Sequence, residues 1–311
     1  AQKLAAGQAL MHGILDQAQA LGMHTAVHLQ PLEFPVEFRP LLQQPTDAVI
    51  QLGGLTCAER GDLTNPGHMR LIEATIDAHL EQWGRVDEFH LSFPEHPQAD
   101  RQFERCWREL DARHGLEPDC SLARVLDLGA RNRLIPGGLA RAEREVKSSI
   151  TMLHFCDQLL ARTGLRERAA ARGVDLHLNV GGNSEALFPV LERVLWPGGG
   201  VSTALGYTAS RAVRVLRSLE SLDTARVPAT LVVTLQDDNV GSLPQVATRS
   251  IHQLLDAIQA RGWRGFFTRH WPVGDLDPTS AYLARRAWDV TVTPASAYQS
   301  HFAGVYGPAA A

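Results

Sequence analysis

The chain has 311 residues, 44% of them apolar and 21% charged, with a formal charge of −4. That length supports one large α/β barrel or two ordinary domains, and the charge leaves no basic footprint for a nucleic acid. No apolar run is long enough to span a bilayer, and four scattered cysteines without a C-x-x-C pair (Cys57, Cys106, Cys120, Cys156) read as buried thiols.

In chain order, residues 3–20 have helical spacing, with Leu4, Leu10, Met11, Ile14 and Leu15 giving an apolar side, and Gly22 ends the run. The chain enters this helix-like run at once, so it reads as a piece beginning inside a domain of a longer protein. A strand over residues 23–31 and a second over 47–54 follow. The Gly53-Gly54 end of the second permits a tight turn or the close approach of a ligand. Asn65-Pro66-Gly67 opens a helix over 68–83. The stretch 84–97 then carries an alternating run, Val86-Asp87-Glu88-Phe89-His90-Leu91-Ser92-Phe93, that stops at Pro94-Glu95-His96-Pro97. It is a strand that hands a carboxylate to a proline-bounded loop. Asp87 and Glu88 come early in this strand and are expected to face its far end or solvent.

Helices are expected over 103–114 and 143–163, with a mixed segment between them. Later strands are 175–182, 200–207, 229–235 and 263–270, and helices are read at 245–261 and 279–288. About seven strands, each separated by room for a crossover helix, predict a parallel sheet. The expected fold is a single (β/α)8 barrel domain over 1–311, with the first strand lying before residue 1 or misread. A doubly wound sheet competes, but no Gly-x-Gly-x-x-Gly follows a strand and no P-loop is present, so no nucleotide cofactor is called for.

A barrel places its chemistry at the C-terminal ends of the strands. Those exits hold His28 and Gln30, His90 and Ser92, Glu95 and His96, His177 and Asn179, Tyr207, Gln236 to Asn239, and Arg269 to Trp271. Amides, imidazoles, arginine and aromatic rings suit a polyhydroxylated ligand. Hydroxyls bond to the polar groups, and a sugar ring lies on Tyr207 or Trp271. Glycoside hydrolysis needs two carboxyl groups, one to donate a proton and one to act as nucleophile or base. Glu95 is the candidate donor. Asp238 and Asp237 are the candidates for the second group, and neighbours on extended chain point opposite ways, so one of them faces a site. His28, Gln30, His96, Asn179, Tyr207, Gln236, Asn239, Arg269 and Trp271 are the candidate substrate-binding residues. Trp263 reads as structural, and Trp83, Trp107 and Trp288 as helix packing.

Leu235-Gln236-Asp237-Asp238-Asn239 before Leu243-Pro244-Gln245 resembles a segment of barrel glycoside hydrolases related to α-glucuronidases and N-acetylglucosaminidases. Thr268 through Pro278, followed by Ala281-Tyr282-Leu283-Ala284 and Trp288-Asp289, resembles their last strand and helix. The resemblance is at the level of a superfamily and covers the C-terminal quarter. It implies a barrel hydrolase acting on a carbohydrate, with a middle-strand Glu as acid, mapping onto Glu95. The second carboxylate maps onto Asp237 or Asp238.

Two other readings compete. His28, His90 and His177 lie near strand exits, where a metal-dependent barrel hydrolase or isomerase would put ligands. There is no His-x-His or His-Glu-x-x-His pair, His24 and His28 share a strand face without chelating, and core histidines are commoner, so no metal is assigned. The third reading is a carbohydrate-binding barrel without catalysis.

Overall fold

The computed structural model describes residues 2–35, 37–38, 40, 49–52, 55–58, 65–93, 100–117, 119–131, 138–181, 184–206, 208–235, 246–269 and 276–307. The fold is mixed α/β. Six strands form a parallel sheet: β1 (Ala26–Leu29), β5 (Glu88–Ser92), β6 (Asp175–Val180), β7 (Gly200–Thr203), β8 (Ala229–Thr234) and β9 (Gly265–Arg269). Their order in the sheet is β1-β5-β6-β7-β8-β9, which is their order along the chain. A doubly wound sheet reverses its order at a switch point. Among the described strands there is no reversal, and sequential neighbours are what a singly wound β/α sheet produces.

The seventh expected strand is not in this sheet. The segment Val49–Leu52 (β3) pairs antiparallel with Leu55–Ala58 (β4), and β4 pairs antiparallel with Glu33–Pro35 (β2). Leu52 sits opposite Leu55 in register, and the Gly53-Gly54 pair lies outside the described residues. Gln51 lies in this antiparallel pairing, opposite Thr56.

The chain divides into two compact units. One comprises Ala1–His114, Lys147–Asn179 and Trp196–Gly200, the other Gly115–Val146, Val180–Leu195 and Val201–Ala311. In the first unit, β1, β5 and β6 alternate strictly. Leu29, Phe89, Leu91, Leu176 and Leu178 are all buried on one face. Helix α2 (Pro66–Trp83) buries Ile72, Ile76 and Leu80 at i, i+4 and i+8, the stripe of a helix lying on a core. It starts as the sequence predicts: the Asn65 side chain accepts from the Gly67 and His68 backbone N–H groups at 2.9 and 3.2 Å, with Pro66 in the first turn. Helix α3 (Phe103–His114) buries Cys106, Trp107 and Leu110. Helix α1 (Gln2–Ala20) departs from expectation: Leu15 is buried, but Leu4, Leu10, Met11 and Ile14 are exposed.

In the second unit, Val201, Ala229, Leu231 and Val233 form the buried centre of β7 and β8. Helix α9 (Thr248–Ala260) buries Ile251, Leu254, Leu255 and Ile258. Helices α10 (Asp277–Arg286) and α11 (Pro294–Tyr306) are tied to α9 by hydroxyls. Thr248 Oγ1 lies 2.8 Å from Thr279 Oγ1 and 2.5 Å from Tyr298 Oη. Helix α4 (Leu122–Arg131) occupies part of the segment read as mixed, and α5 (Gly138–Thr163) is the long helix expected there. Three further helices are short or follow them: α6 (Leu165–Ala170), α7 (Phe188–Val194) and α8 (Ala209–Arg214).

Cys106, Cys120 and Cys156 are buried free thiols, as composition suggested. Trp107 and Trp263 are buried; Trp288, expected to pack, is 92% exposed just beyond α10. No described helix is long and apolar enough to cross a membrane.

Candidate functional site

The second face of β1, β5 and β6 is polar, and the register explains how. Parallel pairing sets His28 opposite His90 and His90 opposite His177. Side chains two residues apart share a face, so Glu88, His90 and Ser92 on β5 stand beside Asp175, His177 and Asn179 on β6. The three imidazoles form a row across the strands. Ring centroids are 5.0 Å apart for His28 and His90 and 5.4 Å for His90 and His177, with planes within 15° and 26° of parallel. His90 and His177 are each 3% exposed; His28, on the edge strand, remains exposed.

The toward-N-terminal end of the row is anchored by Glu88, whose side chain is 12% exposed. His90 Nε2 lies 2.9 Å from Glu88 Oε2, His24 Nε2 lies 3.0 Å from Oε1, and His177 Nε2 lies 3.8 Å from the same oxygen. Burial pushes this carboxyl up, but the bond from His90, the charge of His177 and the bond from His24 outweigh it and hold it at about 2. Glu88 therefore lies at the far end of its strand, as expected, and turns there to the histidines rather than to solvent. Asp87 behaves as expected, half exposed at the strand start. The Thr25 backbone N–H donates to it at 2.7 Å and the Thr25 hydroxyl at 2.8 Å, which lowers its carboxyl.

At the other end, His28 Nδ1 lies 3.0 Å from Ser92 Oγ. Desolvation of the ring, then the like charge of His90, lower His28 to about 4, so it is neutral near pH 7. Ser92 is opposite Asn179 in register, and the Phe93 N–H donates to the Asn179 carbonyl at 2.9 Å, extending the pairing to the strand exit. The face thus holds a carboxylate with imidazoles at one end and presents an imidazole, a hydroxyl and an amide at the end where β5 and β6 stop. Rings in parallel planes about 5 Å apart do not aim their nitrogens at one point at the ~2.1 Å a metal bond needs. Among the described residues no group of three or more His, Cys, Asp or Glu side chains is arranged to hold a metal ion.

Of the residues singled out in the sequence, His28, His90, Ser92, His177 and Asn179 belong to this face. Gln30 is turned to Glu33, its amide nitrogen donating to both carboxylate oxygens. Arg269 closes β9 opposite Thr234; its side chain lies outside the described part. Glu95, His96, Tyr207, Gln236, Asp237, Asp238, Asn239 and Trp271 lie outside the described residues. The sequence reading missed Glu88 as the anchor of the histidine row. The signal was present as period-two polar positions in the same phase, Glu88-x-His90-x-Ser92 and Asp175-x-His177-x-Asn179. Only the register between strands lines them up.

No protein-family model matches the chain, and no curated protein sequence matches it.

Proposed function

We propose that the chain is a glycoside hydrolase that cleaves a terminal sugar with paired carboxylates, built on an eight-stranded β/α barrel of which these six strands are part. One observation supports the reading above the others. The six strands run parallel in chain order, so their C-terminal ends share one edge, and the candidate acids follow two of those ends in sequence. Glu95 comes three residues after β5, and Asp237 and Asp238 come three and four residues after β8. Strand exits are where β/α barrels gather chemistry from several elements.

In this reading Glu95 protonates the glycosidic oxygen as the bond breaks. Asp238 or Asp237, ionised, acts as nucleophile or base on the other side of the sugar. Ser92, Asn179 and His28 supply hydrogen bonds from the strand ends. A panel of 4-nitrophenyl glycosides tests it. The unmodified chain is expected to release nitrophenolate from one of them, and either D237N or D238N to lower kcat/KM by about 1,000-fold or more, with the other near normal. No release from any glycoside, or full activity in both variants, overturns the proposal.

A further inference from the structure

Helix α1 is amphipathic in the reverse sense. The side it turns to its own unit is mostly polar. Gln8 Nε2 donates to Gln82 Oε1 at 3.3 Å, Gln19 Nε2 to the Arg85 carbonyl at 2.9 Å, and Arg85 Nη1 to Asp16 Oδ1 at 2.5 Å. His12 stacks on Trp83 with ring centroids 5.0 Å apart, and Leu15 is the buried residue of the helix. The apolar side faces away. Leu4, Leu10, Met11, Ile14 and, at the helix end, Leu21 are between 43% and 69% exposed. A helix that packs on its own core does the opposite. The Leu21 N–H still donates to the Gln17 carbonyl at 3.1 Å, so the helical geometry reaches it.

Leu4, Gly7, Met11, Ile14, Ala18 and Leu21 follow one another at alternating steps of three and four residues. That 3.5-residue repeat is the seam along which two helices pack knobs into holes, and none of the six side chains is ionisable. Gly7 adds a second observation. It lies inside the helix, where glycine is less favourable than alanine, and a Cβ there would meet no atom within 4 Å. The chain's own fold leaves room for a side chain at this position, and the backbone of another helix approaching closely would use that room.

We propose that this seam binds a second copy of the chain, the two α1 helices lying antiparallel about a two-fold axis. A two-fold contact needs a self-complementary patch, and the spacing supplies one. Leu4 of one copy meets Leu21 of the other, Gly7 meets Ala18, and Met11 meets Ile14. Large side chains meet large ones, and the small pair lets the backbones close up. The antiparallel sense follows from charge. It opposes the helix dipoles and brings Lys3, beside the seam, to the C-terminal end of the other α1, where a cation is favoured; parallel pairing would set Lys3 beside Lys3. The exposed apolar side chains offer on the order of 100 Å² each, so the pair covers about 1,000 Å², the size at which specific association begins.

Sedimentation equilibrium of the 311-residue chain tests this, with M11K and I14E as variants at exposed positions. The unmodified chain is expected to pass from monomer to dimer over roughly 1 to 100 μM, the weak end for an interface of this size. Each variant alone is expected to associate about ten-fold more weakly or worse, with melting followed by circular dichroism showing that it is folded. The deciding readout is an equal mixture of the two variants. The antiparallel register sets the new ammonium opposite the new carboxylate at one crossing and keeps an unmodified Met11 against an unmodified Ile14 at the other, so association is expected to return. Parallel pairing, or a merely structural role of Met11 and Ile14, would not bring it back. A chain that stays monomeric throughout that range overturns the proposal. So does association undiminished in M11K and I14E, or a mixture that associates no better than either variant alone.

Discussion

The two ends of the strand sequence differ sharply in chemistry. The strands β1, β5 and β6 contain His28, Glu88, His90, Asp175 and His177, five ionisable side chains in three short segments. The strands β7, β8 and β9 contain one, Arg269, and otherwise offer hydroxyls: Ser202, Thr203, Thr230, Thr234 and Thr268. Both groups bury an apolar face, so burial alone does not distinguish them. What differs is how the polar face meets the loss of water. In the first unit a charged carboxylate is balanced by imidazoles. In the second, neutral hydroxyls bond locally, as Thr268 does in donating to the Val233 carbonyl at 2.8 Å. A face built on charge responds to pH; a face built on hydroxyls does not.

Truncating the apolar centre of the second unit gives the largest expected effect on stability. Leu231 is 1% exposed, and L231A should cost about 4 kcal/mol of unfolding free energy through lost transfer energy and the cavity left behind. Measured by urea unfolding, that deficit should stay constant across pH. Removing the charge that anchors the first unit should come next. E88Q is expected to cost about 3 kcal/mol near pH 7, the worth of a carboxyl displaced from its ordinary value to about 2. The sign is set by linkage. The folded-state pKa is depressed, so the contribution is complete above the unfolded value near 4.5 and is lost as pH falls towards 2. The unfolding curves of the unmodified chain and E88Q should converge over that window, whereas those of L231A should not. A pH-independent deficit in E88Q would remove the distinction between the two regions.

The fold was more legible in the sequence than the site. The six parallel strands could be read because each is a short apolar or alternating run bounded by turn residues, and the Asn65-Pro66-Gly67 start carries its own capping chemistry. The segment at Val49–Leu52 was misassigned because a short apolar run looks alike in a parallel strand and in a hairpin; its partner, Leu55–Ala58, decides. Thr293-Pro294 is a good start signal for helix α11, and the structure shows the capping box between Thr293 and Ser296. Helical periodicity gives α1 an apolar side, but it says which residues share a side and not what that side meets. The sequence groups His28, His90 and His177 at strand exits, but their stacking into a row is not legible in it. Each strand shows one histidine on an alternating segment, and only the pairing of His28, His90 and His177 across three strands makes them neighbours.

The most direct test of the functional account is the leaving-group dependence of E95Q. A proton donor matters in proportion to how much the departing oxygen needs the proton. With the glycoside that the unmodified chain hydrolyses, kcat/KM of E95Q should fall by roughly 100-fold or more for a poor leaving group such as a methyl or phenyl glycoside. It should fall by less than about 10-fold for the 2,4-dinitrophenyl glycoside, whose leaving group departs without help. Equal losses on both substrates, or no loss on either, would contradict the assignment of Glu95 as the acid.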